Sequence, residues 1–467
     1  MRRMLKHQRT AFNYALKQTH PALFMEMRLG KCLVAIRRIK LYTPVFPSLG
    51  LRVLIVAPSS ALESWNRELK YEGESHVFFL TGNKETRGKT LLDNGFGSAH
   101  PKNCWYLINK EGFLALPQIA SRHYVEWDAV VLDESFIRNP RAKVTQFYTH
   151  HFRSVPHRWL LTGTPNPESD LEFFPQLQWL DNMAFGYKNF WDFRAKEYVP
   201  DARGYKWIPR AGVQQKIRDY VKRRCFVMQR RDVGVEPVKQ HVQRTIEFPP
   251  EIRKAYDILE KDFELDGVQT IWATTRYIWL RRLTGGFSVV KEEGKEKEDI
   301  KKLEWDGKFD VLLELLTGEL KNASVVVWFH FNAELQYAHE LLSINKVLHR
   351  ILWGEQELDE RRKIENEFKD GKVRVLLIQQ AVAEFGMDLS AADTAIYFSQ
   401  NPAALSSQQT HDRIVNLSKD SILLYIYLIV KNTVDEDIYN ALIEKRWSSQ
   451  LSLNDALKES INARKSS

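Results

Sequence analysis

The sequence predicts an α/β protein built from two parallel-sheet lobes with a helical region inserted between them. Three observations lead there: apolar runs of strand length, helical patterns alternating with them, and a middle stretch where the strand signal fades. The runs are Val53 to Ala57, Trp105 to Ile108, Val130 to Leu132, Trp159 to Thr162, Val325 to Phe329, Val373 to Ile378, Thr394 to Phe398 and Ile422 to Val430. Continuous apolar runs of this length suit strands covered on both faces. Helical patterns such as Leu62 to Tyr71 and Asp359 to Lys369 supply the cover, and strands alternating with helices give parallel sheets.

The expected divisions are a first lobe over 1–182, a helical and basic region over 183–306, a second lobe over 307–446 and a polar tail over 447–467. Within the middle region Lys291 to Lys302 is nearly all charged and reads as a solvated loop or frayed helix. Trp272, Tyr277 and Trp279, at helical spacing, read as packing residues.

The chain has 467 residues, 44% of them hydrophobic, which is enough for two or three cores and excludes a disordered class. Three cysteines, Cys32, Cys104 and Cys225, are too scattered for a disulfide framework or a zinc site. His7, His330 and His411 have no metal-like companions in the sequence. The first residues, MRRMLKHQRTAF, lack an apolar stretch after the basic ones, and the most apolar run is shorter than the ~20 residues that span a bilayer. A reducing cytoplasm is expected, with no membrane partner.

The net charge of +9 favours an acidic polymer. From Arg194 to Arg231 there are 12 basic residues against Glu197, Asp201 and Asp219, so this stretch alone carries +9. Tyr198, Tyr205, Trp207 and Tyr220 are interleaved with the charge, a composition suited to following phosphates and stacking on bases. The competing reading is a solvated helical face.

Chemistry concentrates at three strand ends. MEMRLGKC (Met25 to Cys32) follows an apolar stretch and opens a helix, as a phosphate-binding loop does. Such a loop directs backbone N–H groups at the anion, and Lys31 can reach the β- and γ-phosphates. VVLDESF (Val130 to Phe136) ends a strand in two adjacent acids; in a nucleotide site Asp133 would hold Mg²⁺ through water and Glu134 would orient and deprotonate the attacking water. WLLTGTPNPES (Trp159 to Ser169) adds a hydroxyl-rich turn that can sense the γ-phosphate.

The ordered series MLKHQ, MEMRLGKC, VLIVAPSSALESW, DESF and LTGTPNP resembles the first motor lobe of superfamily 2 helicases, and more narrowly of Swi/Snf-like ATPases. YVKRRCFVMQRRDVG, TIEFPPEIRKAYDIL, DGKFDVLLELL, VVVWFHF, VRVLLIQQAVAEFGMDLSAADTAIYFS and QQTHDRIVN are similar to the segments that follow in that family, from about Leu5 to about Lys445 in all. The resemblance implies two RecA-like lobes, ATP with Mg²⁺ bound between them, and movement along DNA, double-stranded DNA above all. It implies adenine contact for Gln8 and phosphate contact for the loop of Arg28, Leu29, Gly30, Lys31 and Cys32. Pro58, Ser59, Asn109 and the loop containing Gly163 would lie along the nucleic-acid backbone, as would Arg223, Arg224 and Arg230 of the basic stretch. Gly386 and Asp388 would couple nucleotide to strand, and Gln409 and Arg413 would close on the γ-phosphate.

Two positions depart from the pattern. Cys32 stands where Ser or Thr gives Mg²⁺ an oxygen, and a thiol suits that hard ion poorly. Asn416 stands where a second arginine is usual, and loss of such a finger slows turnover about 10³-fold or more. A slow ATPase acting as an ATP-gated DNA clamp or scaffold is therefore one rival expectation, and an unwinding or branch-migrating helicase is the nearest rival within the enzyme class. The chain's length suggests a bacteriophage or bacterial member, acting in the host cytoplasm if phage-encoded, with replication, recombination or transcription proteins as possible company.

Overall fold

In the computed structural model, residues 3–46, 49–59, 61–91, 93, 102–113, 126–163, 165, 169–201, 207–234, 237–266, 271–290, 299–383, 387–401, 410–415 and 422–444 are described. The chain divides into two units, Met1–Glu236 and Pro237–Ser467.

The first unit is centred on a seven-stranded sheet of order β3-β4-β2-β5-β6-β1-β9. Its strands are β1 (Ala22–Met25), β2 (Arg52–Ala57), β3 (Val77–Phe79), β4 (Cys104–Asn109), β5 (Ala129–Asp133), β6 (His157–Thr162) and β9 (Phe226–Met228). Every neighbouring pair is parallel. The central strands are buried along almost their whole length, which is why they read as unbroken apolar runs. Helices α1 (Lys6–Leu16), α2 (Lys31–Ile39) and α3 (Ala61–Tyr71) belong to this unit. A small antiparallel hairpin, β7 (Tyr198–Pro200) with β8 (Trp207–Pro209), lies outside the main sheet.

The second unit holds a six-stranded sheet of order β10-β17-β16-β13-β15-β14, again parallel throughout. Its strands are β10 (Lys239–Ile246), β13 (Val325–Phe329), β14 (His349–Leu352), β15 (Val375–Gln379), β16 (Thr394–Tyr397) and β17 (Leu423–Val430). A hairpin of β11 (Phe287–Val290) and β12 (Asp299–Lys302) accompanies it.

Each of the eight apolar runs in the sequence coincides with a strand. The middle region differs from its expected outline, because 183–306 is shared between the two units. Phe185, Phe190, Phe193, Tyr198, Val213, Ile217 and Val221 pack into the same core as Val130, Leu132 and Leu160 of the first sheet. Tyr256, Leu280 and Leu283 pack instead with Val434. Each half thus buries its apolar face on its own unit, which is what the hydrophobic effect demands of helices too short to form a separate core.

The charged run 291–302 also departs from expectation. Asp299–Lys302 is a strand paired with Phe287–Val290, while 291–298 lies outside the described residues. Lys302 reconciles charge with pairing: its ammonium lies over the rings of Phe287, Phe309 and Tyr337 and forms an ion pair with Asp306 at 2.7 Å. Among the described residues no helix is long and apolar enough to cross a membrane.

Candidate nucleotide site and nucleic-acid surface

In parallel sheets ligands gather at the carboxyl ends of the strands. There β1 runs into residues 26–30, and α2 begins at Lys31. Gly30 caps α2 at φ 84°, and a Cβ at this position would stand 2.3 Å from Nε2 of Gln8. Only glycine meets both demands. Arg28 takes a left-handed conformation too, at φ 69°, a cost of about 1 kcal/mol or more that tends to be retained at functional loops.

Gln8 is held against this loop. Its Oε1 accepts the Leu5 N–H at 3.0 Å, and its Nε2 lies 3.4 Å from the carbonyl oxygen of Leu29, a side chain that is itself buried. Lys31 is buried, and its ammonium donates to the carbonyls of Met25 at 2.8 Å and Glu26 at 3.4 Å. Gly163, expected on the nucleic-acid path, packs against the backbone of Met25 to Met27.

Strand β5 ends at Asp133, separated from β1 by β6 alone. Asp133 is 5% exposed. Its Oδ2 accepts the Trp65 indole N–H at 2.8 Å, and its Oδ1 accepts the Glu134 N–H at 3.0 Å. Burial raises its carboxyl above the ordinary range, Glu134 adds to the rise, and Lys31 opposes it. Glu134 turns out of the strand at φ 49°, a strained conformation for a residue with a side chain. Lys31 and Glu134 are therefore both close enough to act on the Asp133 carboxyl.

Cys32 belongs to the same cluster. Burial pushes its thiol up, and Asp133 pushes it further. A protonated thiol is a poor donor to a hard cation, whereas the two carboxylates are well suited to one. The cradle left by Gly30, the helix start at Lys31 and this acidic pair fit a magnesium-bound nucleoside triphosphate.

The other expected contacts lie as follows. Pro58 and Ser59 follow the end of β2 and are half-buried. Asn109 ends β4, and its Oδ1 accepts the Gly112 N–H at 3.1 Å. On the helix Val213–Arg224, Arg223 is exposed along with Arg218 and Lys222. Arg224 is half-buried and donates to the His20 carbonyl at 2.9 Å.

Arg230 is placed differently from its expected role as a phosphate contact. It is 3% exposed, its guanidinium is 3.2 Å from Glu26 Oε2, and its N–H donates to the same oxygen at 2.9 Å. It is an internal strut that holds Glu26 in the segment between β1 and α2. Of the interleaved aromatics, Tyr198 is buried in the core and Tyr220 donates to Asp181 at 3.1 Å. Tyr205 lies outside the described residues, and Trp207 is half-buried beneath Arg194 at 4.0 Å.

In the second unit Arg413 is buried in the short helical stretch 410–413, and its carbonyl accepts the Leu389 N–H at 3.3 Å. His411 beside it bonds the Tyr427 hydroxyl at 2.7 Å and stacks on Tyr397. Asp388 accepts the Ser390 N–H at 3.2 Å and lies 3.6 Å from Lys369. Gly386, Gln409 and Asn416 lie outside the described residues. Trp65 and the Glu26–Arg230 pair were missed by the motif reading; no local spacing announces either.

Two parallel α/β sheets, the first with a phosphate loop and an acidic strand end, define a RecA-like nucleotide-binding protein of the superfamily 2 helicase class. The chain belongs to the SNF2-related family, a family of ATP-dependent, nucleic-acid-stimulated ATPases: the SNF2-related domain matches residues 7–265, and the helicase conserved C-terminal domain matches residues 307–416. Among its relatives, the CHD3-type chromatin-remodeling factor CHR7 of Arabidopsis thaliana is 22% identical over 431 residues, covering 90% of this chain and 34% of that protein. YwqA of Bacillus subtilis is 23% identical over 433 residues, covering 88% of this chain and 43% of its own. The chain thus spans less than half the length of either. The helicase domain of Pyrococcus furiosus Hef shares the fold, with a TM-score of 0.51 at 13% identity, covering 93% of this chain and 97% of that one.

Proposed function

We propose that the chain is a DNA-stimulated ATPase that translocates on double-stranded DNA, with Lys31, Asp133, Glu134, Gln409 and Arg413 as its catalytic groups. The observation that carries the reading is the convergence of Lys31, Asp133 and Glu134 at neighbouring strand ends, close enough for Lys31 and Glu134 both to shift the Asp133 carboxyl. In this reading Gly30 and Lys31 hold the phosphates, with Arg28 and Leu29 shaping the loop and Gln8 facing the base. Asp133 would hold Mg²⁺ through water, and the ion would polarise the γ-phosphate when bound. Glu134 accepts the proton of the attacking water. Arg413 and Gln409 would meet developing negative charge on the γ-phosphate, and Gly386 with Asp388 would couple the nucleotide to the strand.

Pro58, Ser59 and Asn109 supply the nucleic-acid track at the carboxyl edge of the first sheet. Arg223 continues it on an exposed basic helix face, with Arg224 beside it. Duplex DNA is favoured by the membership in the SNF2-related family and by a charge of +9 concentrated between Arg194 and Arg231.

A second reading is an ATP-gated clamp with slow hydrolysis. The protonated Cys32 thiol favours it, because the loop then offers Mg²⁺ no oxygen from that side chain. Displacement of a triplex-forming strand from intact duplex separates the readings. A translocase displaces the third strand in an ATP-dependent manner and leaves the duplex paired, an unwinding helicase also separates the duplex, and a clamp does neither.

A further inference from the structure

Besides its motif residues the first unit carries a solvent-facing cluster of arginine and tryptophan. The helix Phe190–Glu197 and β8 bring Arg194 between two indoles, 4.0 Å from the Trp207 ring centre and 4.8 Å from that of Trp191. Arg141 stands 5.2 Å from the same Trp191 ring. It lies on the segment that leaves the carboxyl end of β5, two residues before the helix Lys143–His151.

The electrostatics are unusual for a structural cluster. Neither Arg141 nor Arg194 has an acidic partner among the described residues, and Arg194 Nε is shielded from solvent without a hydrogen-bond partner there. Burial and the charge of Arg141 together hold the Arg194 guanidinium below its ordinary range. Two like charges gathered on one ring, with no counter-charge among the described residues, repel one another. An external anion would relieve them.

Exposure points the same way. Trp65, Trp105 and Trp159 of this unit are fully buried, whereas Trp191 is 45% exposed. A solvent-facing indole flanked by planar guanidiniums can take a sugar or base on its face while the arginines bind phosphate oxygens. Arg218, Lys222 and Arg223, further along the chain, are exposed cations too, and a polyanion suits such a basic segment.

We infer that Arg141, Trp191 and Arg194 form a receptor for the phosphodiester backbone of a nucleic acid, taking about two phosphates with the Trp191 ring against a sugar or base. The inference rests on the reading of the chain as a nucleic-acid motor and adds a contact that none of its motif residues supplies.

The test measures binding of a short fluorescent DNA duplex without nucleotide, across roughly 50–200 mM salt, for the full chain and for Arg141→Gln, Arg194→Gln and the double variant. With about 0.9 lost from the salt slope per phosphate contact, the double variant flattens the slope by about two and weakens binding about tenfold or more at the low-salt end. Arg141→Gln alters an exposed side chain and flattens the slope by about one, so the test survives if Arg194→Gln unfolds. Trp191→Ala weakens binding, and Trp191→Phe restores part of it. An unchanged slope and affinity in Arg141→Gln, with wild-type binding intact, overturns this receptor alone. Wild-type protein that binds no duplex overturns both the receptor and the motor reading. Displacement of the duplex by polyglutamate at equal charge overturns it in favour of an acidic protein partner.

Discussion

The Trp65 indole N–H and the Asp133 carboxylate meet at 2.8 Å, tying α3 to the acid at the end of β5. Partners of this kind orient metal-binding carboxylates, and their loss costs about 10–100-fold in metal affinity. Trp65→Phe is expected to raise the Mg²⁺ concentration for half-maximal ATP turnover about tenfold while the protein stays folded. A Mg²⁺ titration of turnover, paired with a melting curve, checks this; an unchanged half-saturation point means that Trp65 only fills space.

Gly30 faces two penalties on substitution, its left-handed backbone and the approach of Gln8 Nε2. Gly30→Ala should cost about 1–2 kcal/mol from backbone strain and weaken nucleotide binding at least tenfold. Adding Gln8→Ala relieves the steric conflict and leaves the strain, so the double variant recovers part of the stability. Full recovery would show that φ contributes nothing.

Arg230 and Arg223 should behave oppositely although both belong to the basic stretch. Arg230→Ala leaves Glu26 without its buried partner, a loss of about 3–5 kcal/mol for a pair of this kind, and is expected to lower the melting temperature and weaken nucleotide binding with little change in the salt slope of DNA binding. Arg223→Glu should leave melting unchanged and flatten that slope. A steep fall in slope for Arg230→Ala would return Arg230 to the nucleic-acid surface.

Glu334 carries a pH dependence in the second unit. It is 1% exposed, accepts a hydrogen bond from Ser399, and its carboxyl is raised from 4.5 to about 7, by burial first, against the pull of Lys308, Ser399 and Arg281. The folded state therefore binds an extra proton between about pH 4.5 and 7. Its contribution to stability is present below that window and is lost as pH rises through it, on the order of 3 kcal/mol in all. Glu334→Gln keeps a hydrogen-bond acceptor for Ser399 and should flatten the dependence, becoming more stable than wild type at pH 8. Denaturant midpoints at pH 6 and pH 8 decide it; parallel pH profiles for the two proteins would contradict the assignment.

The sheet centres were legible because strands buried on both faces leave continuous apolar runs, as at Val325–Phe329 and Ala129–Asp133. Edge strands leave weaker traces. Lys239–Ile246 borders the second sheet as KQHVQRTI, only partly buried, and has the polarity of a loop. Lys31, Asp133 and Glu134 could be read from motifs because their chemistry is local to strand ends. Trp65 and Asp133 are 68 positions apart, and Arg230 and Glu26 are 204 apart. Such pairs arise from sheet order and have no spacing to detect. The same holds for Arg141 and Trp191, which the composition of the basic stretch did not include.

The central claim is that the cluster at Lys31 and Asp133/Glu134 hydrolyses ATP in response to duplex DNA. Steady-state ATP turnover measured with and without duplex DNA, beside Lys31→Ala and Glu134→Gln, tests it most directly. Turnover is expected to rise at least tenfold with duplex and to fall about 10²-fold or more in both variants. Wild-type turnover that ignores duplex DNA and stays at the Glu134→Gln level would contradict it.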